Sequence, residues 1–158
     1  MKIITKGKVK TVYSREDAQE VLIEYHDKVT AGNGDKEDFP LGKGSLCCSI
    51  SSILFEQLSS SGIHNHYVGM IDANKMICRS VDIVPLEVIC RNRAAGSIVR
   101  ETTLQEGQPF HKPIVEFFLK DDTKNDPLLT PDRVELMGHD PQPFVDMTLN
   151  VNEILQTI

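Results

Sequence analysis

Along residues 8–13 apolar and polar side chains alternate, and residues 21–25 are crowded with strand formers. A period of two is what a half-buried strand needs. The polar stretch 14–17 between them predicts a hairpin or meander. Residues 30–44 hold four glycines and a proline among many charges. A long loop is predicted there, and such loops in small domains are more often functional or mobile than idle. The period then changes: Leu46, Ile50, Ile53, Leu54 and Leu58 fall at helical spacing across residues 45–61, and Gly62 stands where a helix would stop. Strands are predicted over 66–71, 75–79 and 82–91, with Asn74 at the first turn. The third is nearly continuous in apolar residues, and its Pro85 implies a kink, a bulge or an edge. A loop at 105–113, a short buried strand at 114–119 and a polar run over 120–131 follow. Phe144, Met147, Leu149, Val151, Ile154 and Leu155 predict a last helix across 144–158. Runs of strands with few helices indicate an α+β fold with antiparallel pairing.

Composition adjusts this picture only slightly. A length of 158 residues suits one domain or two small lobes, and 40% hydrophobic content can supply a core. The net charge of −6 speaks against nucleic acid as a partner, because phosphate backbones need clustered Lys and Arg. A few basic residues in one pocket can still hold a small anion. The opening residues lack the apolar run of a signal peptide and no stretch reaches the length of a membrane span, so a cytoplasmic protein is expected. Cys47, Cys48, Cys78 and Cys90 contain no C-x-x-C pair, and reduced, mostly buried thiols are the expectation. His64 and His66 sit two apart without a third metal ligand close in sequence.

Three charged segments stand out. In the first, Gly7 precedes Lys8 and Lys10, and alternation along a strand would turn both ammonium groups to one face, toward one polyphosphate. A solvated edge guarded by lysines is the competing reading. In the second, Arg91, Asn92 and Arg93 leave an apolar strand and are followed by Ala94, Ala95, Gly96 and Ser97. Guanidinium forks match phosphate and carboxylate geometry, so this is an anion pocket or a surface turn paired to acids. The third, residues 120–127, mixes Lys120, Asp121, Asp122, Lys124 and Asp126. Such acids can hold magnesium or receive an amine, and a charged run can equally be a solvated loop.

Taken in order, these segments resemble the SAICAR synthetase family. GKVKTVY at 7–13 resembles its phosphate-binding hairpin. TAGNG at 30–34 with GKG at 42–44 resembles its flexible loop and the start of its first long helix. IVPLEVICRNRAAGS at 83–97 resembles its first signature, and PIVEFFLKDD at 113–122 with NDPL at 125–128 resembles the next block. The resemblance implies two ATP-grasp-related α+β lobes with antiparallel sheet and the nucleotide between them. Residues 1–82 would form the nucleotide-binding lobe, and residues 83–158 a partial second lobe with the ribonucleotide-binding segment and a terminal helix.

The implied reaction joins L-aspartate to carboxyaminoimidazole ribonucleotide (CAIR) through an acyl phosphate, giving SAICAR, ADP and phosphate, with ATP and Mg2+ required. By matching motif positions, Gly7, Lys8, Lys10, Val12, Asp82 and Glu87 would bind the nucleotide. Lys43, Arg91 and Ser97 would bind substrate, while Lys120 and Asp126 would serve catalysis. The family's later Asp-x-Lys-x-Glu-Phe-Gly strand and its metal-holding acids have no counterpart in these residues. Glu116, Asp121 and Asp122 are then the metal candidates, and a homo-oligomer is expected to complete the site, with its contact near residues 144–158. Asn33 stands where many relatives carry Asp. A non-catalytic nucleotide-binding module that regulates a full-length enzyme is the alternative function.

Overall fold

The chain opens as a meander in a computed structural model that describes residues 1–31 and 36–158. Strand β1 (Ile3–Lys6) turns at Gly7, whose N–H donates to the Lys10 carbonyl at 2.8 Å, into β2 (Lys10–Ser14). A polar connection leads to β3 (Glu20–Tyr25). The predicted long loop contains a small hairpin instead, β4 (Val29–Ala31) paired with β5 (Lys36–Asp38). Three-residue strands leave no periodicity to detect, and the Lys28–Glu37 ion pair that supports them spans the glycine-rich segment. Residues 32–35, with Asn33 and most of the TAGNG run, lie outside the described residues. Helix α1 (Lys43–Ser60) is followed by β6 (Tyr67–Asp72) and β7 (Lys75–Arg79), giving an antiparallel sheet of order β1-β2-β3-β7-β6.

The apolar positions that predict α1 are not the ones it buries. Its buried residues are Gly44, Cys48 and Ser52, a row of small side chains four apart. That row lets the helix backbone approach the sheet closely, with Cys48 joining Tyr25, Met76 and Cys78 in the core. A Cβ on Gly44 would lie 2.7 Å from the Tyr25 carbonyl oxygen, so no larger residue fits. Leu46, Ile50 and Ile53 face outward, at 61%, 47% and 62% exposure. Hydrophobic spacing identified the helix correctly, but contact with the sheet selected the small-residue face.

The chain divides into two compact units, Met1–Asp82 and Ile83–Ile158. In the second, β8 (Leu86–Arg93) starts just after Pro85, so the proline leaves the ladder intact. A short helix α2 (Ser97–Glu101) follows, then β9 (Pro109–Leu119). Strand β9 is longer than the predicted one because its first half, including Pro109 and Pro113, extends the hairpin with β8. A 3-10 turn (Asp122–Lys124) leads to β10 (Leu128–Leu129), completing a sheet of order β10-β9-β8. The polar run therefore also holds a strand, and a helix unpredicted from sequence follows it. This is α3 (Pro131–Leu136), started by Thr130, whose hydroxyl accepts the Arg133 N–H, and by Pro131 at the first turn. The last helix, α4 (Gln142–Leu155), packs across β8 and β9. Its Asn152 and Asn92 of β8 exchange side-chain amide bonds of 2.7 and 3.3 Å.

Candidate functional site

The β1–β2 turn forms one wall of a cleft of about 610 Å³ lined by Lys6, Gly7, Lys8, His26, Asp27, Lys28, Phe39 and Leu41. Three lysines against one acid make the cleft cationic, and the single acid is already engaged. Asp27 accepts the N–H of Gly42 at 2.9 Å and of Gly44 at 2.7 Å. Those two bonds, with nearby Lys43, hold its carboxyl below the ordinary carboxylate value. Asp27 thus does from the end of β3 what an N-cap side chain usually does. Gly42, at the cap with φ of 83°, has no side chain to offer. The same bonds fix the first turn of α1, and with it Lys43, beside the cleft. His26 closes the floor, its Nε2 lying 2.7 Å from the Thr11 hydroxyl.

Lys8 and Lys10 are placed differently from each other. Strand alternation begins only at Lys10, so Lys8 belongs to the turn and lines the cleft. Lys10 lies with its ammonium 4.5 Å from the centre of the Tyr25 ring. Val12 is half-buried opposite Ile23 on the same sheet face as Lys10. Asp82 lines a separate cavity of about 630 Å³, with Asp17, Glu20 and Arg79, where β7 leaves the sheet. Glu87 is exposed on β8, in the second unit.

In the second unit, Arg91 is held on all three of its nitrogens. Nε donates to Glu116 at 2.5 Å, Nη1 to the Ala95 carbonyl at 2.9 Å and Nη2 to the Ser97 hydroxyl at 3.1 Å. The turn that brings Ala95 and Ser97 round runs through Gly96, whose φ of 70° and ψ of −127° only glycine adopts easily. Arg91 and Ser97, named together from sequence, are thus brought together.

Lys120 and Asp126 also meet. One Asp126 oxygen accepts from the Lys120 ammonium at 3.3 Å and the other from the Asp121 N–H at 2.8 Å. Asn125 and Asp126 hold φ of 60° and 43°, a conformation that Asn and Asp tolerate better than other L-residues. Asp121 turns back on its own loop, accepting from the Thr123 hydroxyl and N–H and pairing with Lys124 at 3.0 Å. The Thr123 hydroxyl and then Lys124 depress its carboxyl.

Among the described residues the metal candidates do not assemble. Glu116 is committed to Arg91, Asp121 to Thr123 and Lys124, and the Asp122 side chain lies outside the described residues. No group of three His, Cys, Asp or Glu gathers among the described residues. A protein-built magnesium cage therefore does not fit these side chains, although magnesium commonly takes only one or two carboxylates when phosphates supply the rest.

Sequence reasoning missed Lys6, His26, Asp27 and Lys28. The available signal was a His-Asp-Lys run just after the predicted strand 21–25, where a strand end commonly delivers polar side chains to a site.

Comparison with known proteins identifies the family and the fold. The family profile described as SAICAR synthetase matches residues 3–158. The phosphoribosylaminoimidazole-succinocarboxamide synthase of Prochlorococcus marinus is 42% identical over 160 residues, which is 99% of this chain and 66% of that protein. The Staphylococcus aureus enzyme of the same name is 38% identical over 162 residues, 100% of this chain and 69% of its own length. Among solved structures, a SAICAR synthetase in complex with ADP superposes with a TM-score of 0.91 at 34% identity, covering 96% of this chain and 66% of that one. The Ehrlichia chaffeensis synthase gives 0.93 at 30%, covering 98% and 67%. No helix is long and apolar enough to cross a membrane among the described residues. The chain spans about two thirds of the length of the relatives it matches, and it belongs to the SAICAR synthetase family.

Proposed function

We propose that this chain takes part in the ATP-dependent joining of L-aspartate to CAIR, giving SAICAR, ADP and phosphate. The lysine-lined cleft at the β1–β2 turn carries the reading, because clustered ammonium groups beside a glycine turn suit a polyphosphate. A relative solved in complex with ADP supports nucleotide binding by the family. On this reading Gly7, Lys8, Lys10 and Val12 bind ATP, with Asp82 and Glu87 on the adenine side. Arg91, Ser97 and Lys43 hold the anionic groups of the substrates. Lys120 and Asp126 act on the reacting groups: the lysine as a cation for the transferring phosphoryl, the carboxylate as its partner and a receiver for the aspartate amine. Residues 1–82 are then the nucleotide unit and residues 83–158 the ribonucleotide unit. Magnesium enters on the nucleotide phosphates, which supply most of its oxygen ligands. The proposed setting is the cytoplasm, in keeping with four free thiols.

A coupled assay with ATP, aspartate and CAIR tests the reaction, and nucleotide titration tests the cleft. Each charge-assisted phosphate contact is worth about 1.5–3 kcal/mol. Lys8→Ala and Lys10→Ala should each weaken ADP binding about ten-fold or more. Wild-type protein without nucleotide affinity at millimolar concentration would overturn the assignment. Nucleotide binding without product would favour a regulatory module. Assembly into a homo-oligomer is also proposed, supported by the outward Leu46, Ile50 and Ile53 of α1. Sedimentation at micromolar concentration decides it, a stable monomer counting against assembly.

A further inference from the structure

Arg91 and Glu116 are diagonal neighbours on adjacent strands: Arg91 sits opposite Ile114, and Glu116 opposite Ile89. Side chains two apart on a strand share a face, so both project from the same side of the sheet. Asn92, between Arg91 and Arg93, bonds Asn152 of α4 on the other side. The pair is deeply set, with 14% and 18% of the two side chains exposed.

A guanidinium has five N–H donors. Glu116, the Ala95 carbonyl and the Ser97 hydroxyl take one each, from Nε, Nη1 and Nη2. One hydrogen is left on each Nη for an oxyanion. Ser97 accepts from Arg91, so its own hydroxyl hydrogen can be donated to the same anion.

We propose that Glu116 is a positioning residue for anion capture and not a metal ligand: its carboxylate locks Nε of Arg91, aiming the two remaining Nη hydrogens and the Ser97 hydroxyl at a phosphate or carboxylate group. This rests on the reading of Arg91 and Ser97 as a ribonucleotide site. The carboxylate occupies Nε, whereas the ligand takes hydrogens of the Nη groups. Its charge is matched by the guanidinium there, so orienting the fork outweighs repelling the anion. That balance reverses once the arginine is gone, because the carboxylate is then an unpaired negative charge beside the pocket.

The test is calorimetric titration of the whole chain with the carboxamide analogue of CAIR, with and without magnesium. Glu116→Gln should weaken binding roughly ten-fold, the lower end of what losing an orienting partner does to a ligand-binding side chain. Arg91→Ala should weaken it at least about thirty-fold. In the Arg91→Ala background, Glu116→Gln should leave binding unchanged or strengthen it. A glutamate that acts independently of Arg91 would instead give the same loss in both backgrounds. Glu116→Asp keeps the charge one methylene short of Nε and should fall between wild type and Gln, with the melting temperature of each variant checking its fold.

Equal losses from Glu116→Gln in both backgrounds, or a loss seen only with magnesium, overturn the positioning role while leaving the ribonucleotide site standing. Wild-type protein that does not bind the analogue at millimolar concentration overturns the site itself.

Discussion

Two single residues outside the basic cleft, Cys78 and Asp126, owe their local chemistry to where the fold places them. The Cys78 thiol, wholly buried beneath α1, is pushed up to about 11, chiefly by burial. Only the thiolate attacks an alkylating reagent, and near pH 8 about one Cys78 in a thousand would be ionised. Native protein should therefore leave Cys78 unmodified by iodoacetamide, and unfolded protein should label it, as peptide mass mapping can read. The stability consequence has a definite sign. Because the folded thiol holds its proton to higher pH than the unfolded one, its contribution is full below the ordinary thiol value. It is lost as pH rises toward about 11. Rapid labelling of folded Cys78 near neutral pH would refute the buried placement. Asp126 is the second case, since its carboxylate bonds Lys120 and the Asp121 N–H while its backbone holds φ of 43°. Asp126→Asn keeps an acceptor and tolerates that backbone, whereas Asp126→Ala loses both advantages. In thermal melts Ala should destabilise by about 1–3 kcal/mol and Asn by clearly less. Equal melting temperatures for the two variants would show that the loop is not held by this side chain.

Helix α1 shows how much an element can conceal in its own sequence. Its length and its stop at Gly62 could be read from spacing, but the face it buries could not. Hydrophobicity points to Leu46, Ile50 and Ile53, while the sheet accepts only the flatter row of Gly44, Cys48 and Ser52. Its start was equally hidden, because the cap comes from Asp27, fifteen positions before Gly42 in the chain. Local patterns report periodicity and turn chemistry; they carry nothing about a partner brought in by folding. The same limit explains the β4–β5 hairpin and the fork of Arg91, whose Glu116 partner is 25 residues away. By contrast Arg91 with Ser97, and Lys120 with Asp126, were legible because each pair lies within one short segment. Gly44→Ala should destabilise the first unit, since its Cβ would press on the Tyr25 carbonyl and on the Asp27 carboxylate. Asp27→Ala should lower the melting temperature, as loss of an N-cap does. Asp27 has a depressed carboxyl, so its contribution is present above the ordinary carboxylate value and fades as pH falls through the folded one. Far-UV circular dichroism during acid titration can follow this, with Asp27→Asn losing less helix on acidification than wild type. An identical acid response in the two proteins would remove Asp27 from the cap.

The whole molecule holds two units, each with its own sheet and buried residues: Tyr25, Met76 and Cys78 in the first, Phe117 and Val134 in the second. Each unit holds the main proposed anion site for one ligand: the lysine cleft for the nucleotide in the first, the Arg91 fork for the ribonucleotide in the second. A ligand that binds only the folded form stabilises it by about 2.7 kcal/mol at a hundred times its dissociation constant. Its local share falls on the segments that it touches. Hydrogen exchange read by mass spectrometry should then give two distinct footprints. ADP should slow exchange across the β1–β2 turn, around residues 26–28 and in the first turn of α1, where Asp27 ties Gly42 and Gly44 to the cleft. The carboxamide analogue of CAIR should slow it at the end of β8, through Gly96 and Ser97, and in the middle of β9 around Glu116. With each ligand held near the wild-type dissociation constant, Lys8→Ala should weaken the first footprint and spare the second, and Arg91→Ala the reverse. If ADP instead protects β8 and leaves the lysine cleft unchanged, the nucleotide has been placed on the wrong unit. The cationic turn would then be a solvated edge that keeps neighbouring strands from pairing with it.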